Sequence, residues 1–116
     1  MKRMKIAVML ISLMGVFAGC VSLVGENMKL PDNAVLLDVR RNDEFNAGHI
    51  AGAVLMPHDT IAGNICEAVP DKDAPIFVYC RSGRRSAMAI EAMKKLGYSN
   101  LTDLGGMEEA KKRLRR

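Results

Sequence analysis

One stretch of this 116-residue chain concentrates reactive groups: Cys80-Arg81-Ser82-Gly83-Arg84-Arg85-Ser86. A cysteine attacks as its thiolate, and a thiolate forms where N–H donors and positive potential surround the sulfur. Arg81, Arg84 and Arg85 carry guanidinium groups that grip oxyanions such as sulfonate or phosphate in a bidentate manner. Gly83 gives the backbone angles that a Cβ would forbid. A loop of this kind that curls into a helix N-terminus points several backbone N–H groups at one place and forms an anion cradle. Cys80 is therefore expected to be the nucleophile, and Arg81, Ser82, Gly83, Arg84, Arg85 and Ser86 to bind its substrate. A buried structural cysteine in a turn is the plainer alternative, and it leaves the three arginines and the glycine unexplained.

The elements around this loop must present it. Residues 75–79, Pro-Ile-Phe-Val-Tyr, are β-branched and aromatic and predict a strand ending at Cys80. Residues 84–96 carry Ala87, Met88, Ile90, Ala92, Met93 and Leu96 at helical spacing, and Gly97 ends them. Three more short apolar runs predict strands, at 34–37, 53–55 and 100–104, with Gly105-Gly106 as a turn after the last. Helices are predicted over 41–47, from a cap at Asp59 to about Ala68, and over 107–114. Strands alternating with helices imply an α/β fold, a parallel sheet covered on both faces. Ligands bind such sheets at the carboxyl ends of the strands, which is where Cys80 stands.

Cys-Arg-Ser-Gly-Arg-Arg-Ser resembles the active-site loop of the rhodanese family of single-domain sulfurtransferases. Residues 36–57 resemble its N-terminal signature through Asp38, Arg40, Glu44, Phe45, Gly48, His49, Ile50, Gly52, Ala53 and Pro57, and residues 96–107 resemble its C-terminal one. The likeness runs in order over about residues 30–110. It implies a five-stranded parallel sheet with flanking helices and transfer of sulfane sulfur through a Cys80 persulfide. The donor is thiosulfate or a similar compound, the acceptor is a thiol or cyanide, and no metal or organic cofactor is required. A carrier or binding module that does not turn over would use the same residues. Cysteine phosphatases and arsenate reductases share the geometry but need an arginine six positions after the cysteine, where this chain has Ser86.

Other polar residues around the loop have two readings each. Asp38 at the end of the first strand could hold the cysteine loop or cap the next helix. Arg40 and Glu44 stand at i,i+4 and are expected to pair, with Asp38 and Arg40 as supports of the site. His49 and His58 are read as structural, and two separated histidines make no metal site. Cys66 shares a period with Ile61, Ile65 and Val69, so it is expected on a core face; a resolving thiol for Cys80 is the alternative.

The ends carry their own signals. Lys2, Arg3 and Lys5 precede an apolar run over 6–18, and small residues lead to Cys20. These are the parts of an export signal, too short to be a spanning helix, and Phe-Ala-Gly-Cys resembles a lipoprotein box. The expected organisation is a signal over 1–19, a tether over 20–29 beginning at a lipidated Cys20, and the catalytic domain over 30–116, placed in the periplasm and held to the membrane as a monomer. Between Cys20 and Ala110 thirteen acidic residues outnumber nine basic ones, so the net charge of +4 belongs to the two ends. Aromatics are 4% and Trp is absent, which leaves too few rings for base stacking and argues against a nucleic-acid partner. The closing run Lys111-Lys112-Arg113-Leu114-Arg115-Arg116 suits a helix dipole or, alternatively, anionic lipid.

Overall fold

A computed structural model describes residues 28–114 of the protein. The expected export signal, the expected lipidation site Cys20 and the last two arginines lie outside the described residues. The elements are β1 (Val35–Asp38), α1 (Asn42–Ala47), β2 (Val54–Leu55), α2 (Ile61–Ala68), β3 (Ile76–Cys80), α3 (Arg84–Lys95), β4 (Leu101–Gly106) and α4 (Met107–Leu114). All strand pairs are parallel, in the order β2-β1-β3-β4.

The period-2 alternation of the strands builds two cores. Leu37, Ile76, Val78 and Cys80 face one side, where Ile61 and Ile65 of α2 and Ala89, Ile90 and Met93 of α3 cover them. Leu36, Phe77, Tyr79 and Leu104 face the other side, covered by Ala110 and Leu114 of α4. Each wholly buried Ile or Met contributes about 1.5–3 kcal/mol of transfer free energy. Every residue of β3 is buried, which explains why the sequence there is a continuous apolar run.

Four strands, not five, run among the described residues, and they correspond to the four apolar runs of the sequence. The segment ahead of β1 takes another path. Met28, inside the expected tether, donates its N–H to Arg113 O at 2.7 Å. Met28 and Leu30 pack on the α4 side of the sheet, and a turn closed by Ala34 N–H on Pro31 O leads into β1.

The predicted turn at Gly105-Gly106 is instead the end of β4. Gly105 pairs with Tyr79 and Gly106 with Cys80. One extra residue, Leu104, sits in β4 between the partners of Val78 and Tyr79, a bulge that turns its side chain into the second core. Gly106 is what allows the close approach: a Cβ there would stand 2.7 Å from Arg81 O.

Candidate active site

The sequence of β3 places Cys80 at the carboxyl end of a central strand, and Gly83 bends the chain back over it. Gly83 sits at φ 103°, in the left-handed region, as the N-cap of α3. Its N–H donates to Cys80 Sγ at 2.9 Å. Burial pushes the Cys80 thiol up, but the N–H groups of Ser86, Gly83 and Ser82 and the Ser86 hydroxyl outweigh it. The thiol therefore lies below its ordinary 9.0. Cys80 is wholly buried, so its sulfur forms the floor of the cradle. Arg81–Ser82 forms the outer wall, held to the end of the sheet by Met107 N–H on Arg81 O at 3.3 Å and by a bridge between Ser82 and Gly106.

The three arginines have different surroundings. Arg81 and Arg84 are exposed, and no carboxylate of the described residues pairs with either. Arg81 lines a cleft between α1 and α4 with Arg40, Glu44, Ala47, Met107 and Glu108. Arg85 is half-buried, and its two terminal nitrogens donate to Glu44 Oε1 at 2.7 Å and Oε2 at 3.0 Å. Ser86 is buried, and its hydroxyl lies 2.8 Å from Asp103 Oδ1 and 2.9 Å from Gly83 O.

The expected Arg40–Glu44 pair does not form, because each has a better partner. Arg40 turns back to Asp38, giving Nε to Oδ1 at 2.8 Å and a terminal nitrogen to Oδ2 at 2.7 Å. The same terminal nitrogen reaches Gly48 O at 2.7 Å. Tyr79 donates its hydroxyl to Asp38 Oδ2 at 2.7 Å and accepts Ile50 N–H at 3.0 Å. Asp38 thus neither caps α1 nor touches the cysteine loop. It anchors a buried network that joins β1, β3 and the Gly48–Ile50 segment. Its hydrogen bond keeps the Arg40 guanidinium protonated above its usual range, against the effect of burial.

Cys66 is exposed rather than buried. The stripe Ile61, Ile65, Val69 faces the core, and Cys66 follows Ile65 by one residue, about 100° further round the helix. Lys72 Nζ lies 3.3 Å from its sulfur. Lys72 precedes β3, whereas Cys80 ends it, so the two thiols stand at opposite edges of a sheet that rises about 3.3 Å per residue. A disulfide needs Cα atoms within about 7 Å, which excludes Cys66 as a resolving thiol in this fold. His49 stacks on Phe45 with ring centroids 3.7 Å apart, on the surface. The basic residues that end α4 include Lys111, paired with Glu108 at 3.7 Å, and Arg113, bonded to Asp103 O at 3.0 Å.

The Arg85–Glu44 contact joins α3 to α1 and carries a pH signature. The Arg85 hydrogen bonds hold the Glu44 carboxyl well below its usual 4.5, at about 2, against partial burial. A depressed carboxyl stabilises the fold in full above its unfolded value, and that stabilisation is lost as pH falls through the folded one. Glu44→Gln should therefore destabilise by on the order of 1–3 kcal/mol at neutral pH. The difference from wild type in denaturant melts should shrink between pH 4.5 and about 2. A difference that does not vary with pH would remove the ion pair from this account.

A buried cysteine whose thiol pKa is lowered by the N–H donors of its loop, at the end of a parallel strand, has the geometry of a nucleophilic cysteine site on an α/β fold. Residues 22–113 match the Rhodanese-like domain family, and the chain belongs to it. It is similar to "Thiosulfate sulfurtransferase PspE" of Escherichia coli, at 34% identity over 73 residues covering 63% of this chain and 70% of that one. It is also similar to "tRNA uridine(34) hydroxylase" of Erwinia tasmaniensis, at 36% identity over 77% of this chain and 27% of the hydroxylase. The solved "rhodanese with anions from E. coli" superposes with a TM-score of 0.63 at 33% identity, covering 66% of this chain and 89% of that structure.

Proposed function

We propose that the protein is a thiosulfate sulfurtransferase. The observation that carries the reading is the Gly83 N–H on Cys80 Sγ at 2.9 Å, within a loop that opens a helix. The Cys80 thiolate attacks the outer sulfur of thiosulfate. The sulfur–sulfur bond breaks, and sulfite leaves with its electron pair. The loop N–H groups hold the Cys80 persulfide anion, and Arg81 and Arg84, the two loop arginines with no carboxylate partner among the described residues, attract the dianionic donor. A thiolate or cyanide then attacks the outer sulfur and regenerates the Cys80 thiolate. Because Cys80 is buried, the donor reaches it when the Arg81–Ser82 wall yields.

The phosphatase reading is disfavoured by Arg85. A phosphoryl cradle needs a guanidinium aimed inward, and both terminal nitrogens of Arg85 are committed to Glu44. The charged start, apolar run and Cys20 support export to the periplasm with a lipid on Cys20 that tethers the domain there.

A steady-state assay with thiosulfate and a range of acceptors tests the reading. Sulfite release that depends on a thiol or cyanide is expected. Hydrolysis of a phosphate ester without any sulfur transfer would replace the sulfurtransferase with the phosphatase.

A further inference from the structure

The lysines of the described residues gather away from the cradle. Lys29 precedes β1, Lys72 precedes β3, Lys94 and Lys95 end α3, and Lys111 and Lys112 lie toward the end of α4. The strands are parallel, and Val35, Ile76 and Leu101 share a register at their amino end. The lysines therefore stand toward the amino edge of the sheet, whereas Cys80 and its arginines stand at the carboxyl edge. Carboxylates share the amino edge unevenly. Glu67, Asp71 and Asp73 lie in α2 and the turn that follows it, with the helices of the first core. In the segment ahead of β1, which packs on the α4 side, Asp32 is the carboxylate.

The start of the described chain and the end of α4 meet. Met28 donates its N–H to Arg113 O at 2.7 Å, and Met28 and Leu30 pack in the cluster that holds Leu114. This contact fixes where the preceding chain reaches the domain. Cys20 stands eight residues before Met28. An extended chain covers at most about 3.3–3.6 Å per residue, so an anchor at Cys20 lies within about 30 Å of the last turn of α4. Lys29, Lys111 and Lys112 are exposed. Among the described residues Lys112 has no carboxylate partner. Lys111 has Glu108 at 3.7 Å, an exposed pair that contributes little.

We propose that the end of α4, with Lys29 next to it, docks on a bilayer containing anionic phospholipid and turns the Cys80 cradle away from the membrane. The proposal rests on the membrane anchoring proposed above. One cation near such a surface strengthens binding about fivefold, so a few lysines hold only weakly by themselves. An anchor makes the same contact intramolecular and lets a weak patch stay engaged. The charge order along α4 sets the orientation. Lys111 and Lys112 are drawn toward the surface, while Glu108 and Glu109 of the first turn are repelled from it. The cradle borders that acidic end, because Met107 N–H bonds Arg81 O, and it stays open to dissolved donor and acceptor. Cations at a helix end also suit the helix dipole, but that role needs no membrane.

The test is amine acylation by a membrane-impermeant ester, read at each lysine by peptide mass mapping. The full-length protein, purified in detergent, is inserted into preformed vesicles so that the domain stays outside. On vesicles with about 30% phosphatidylglycerol, Lys29, Lys111 and Lys112 should react at least about threefold more slowly than on pure phosphatidylcholine. Lys94 and Lys95, on the other face of the sheet, should change little. The protection should disappear in about 1 M salt, where the screening length falls to about 3 Å. In the Lys111→Glu, Lys112→Glu double variant, Lys29 should return to its rate on phosphatidylcholine. Both substitutions fall at exposed positions, and the salt dependence of the wild type is read without them. Equal rates on the two kinds of vesicle, or Lys29 protection that persists in the double variant, would mean that the tether alone sets the proximity and would overturn the proposal. Equal protection of Lys94 and Lys95 would overturn the orientation. Failure to sediment with either kind of vesicle would remove the anchor and the docking together. Sedimentation with both, without lipid-dependent protection, would remove the docking and leave the anchor standing.

Discussion

Cys80→Ser is expected to reduce sulfur transfer by at least about a thousandfold while leaving the fold in place. A serine hydroxyl is not ionised near neutral pH, and an alkoxide–sulfur linkage cannot stand in for a persulfide. The change keeps nearly the same volume at a wholly buried site, and the Gly83 N–H that now meets Sγ can meet Oγ. Thermal melting should move by no more than a few degrees. Cys66→Ser, at the other edge of the sheet, should retain the wild-type rate. Comparable losses in both variants, or turnover retained in Cys80→Ser, would contradict the assignment of the nucleophile.

Gly106→Ala should be the most damaging change outside the loop itself. The added Cβ would stand 2.7 Å from Arg81 O, 3.1 Å from Ser82 Cα and 3.3 Å from Arg81 C. These are backbone atoms, so no side chain can swing aside. Either β4 or the wall of the cradle must move, and the Cys80–Gly106 register ties the two together. A destabilisation of about 1–3 kcal/mol is expected. At temperatures where the variant is still folded, transfer activity should fall by roughly tenfold to a hundredfold, because about 1 Å of displacement at a reacting group costs on that order. Denaturant melts and steady-state rates measure the two effects separately. A stable variant with full activity would show that the loop tolerates a wider gap to β4 than its geometry indicates.

Much of this architecture is legible in the sequence because it follows local rules. The uniform apolar run of residues 76–80 marks a strand buried on both faces, and the spacing of Ala89, Ile90 and Met93 marks the helix behind the loop. The cysteine, the arginines and Gly83 identify the site from their types alone. What escapes the sequence depends on pairs distant along the chain. Glu44 stands four residues from Arg40, and local spacing favours that pair. The fold instead places Arg85 beside Glu44 across 41 positions and gives Arg40 to Asp38. The two glycines after Leu104 read as a turn because glycine disrupts strands. They serve instead to let one backbone lie against another, and only the three-dimensional contact with Arg81 reveals that. Cys66 lies next to a clear apolar stripe, and a step of one residue separates core from surface. Asp103 carries no local signal; its meaning comes from Ser86, reached across the sheet edge. The fifth strand implied by family resemblance has no apolar run to form it between residues 28 and 114.

The most direct measurement is the mass of the intact protein after incubation with thiosulfate and removal of excess donor. The protein should become heavier by one sulfur atom, peptide mapping should place that sulfur on the peptide containing Cys80, and a thiol or cyanide should discharge it. No gain in mass, or a sulfur found on Cys66 with Cys80 unmodified, would contradict persulfide chemistry at the β3–α3 loop.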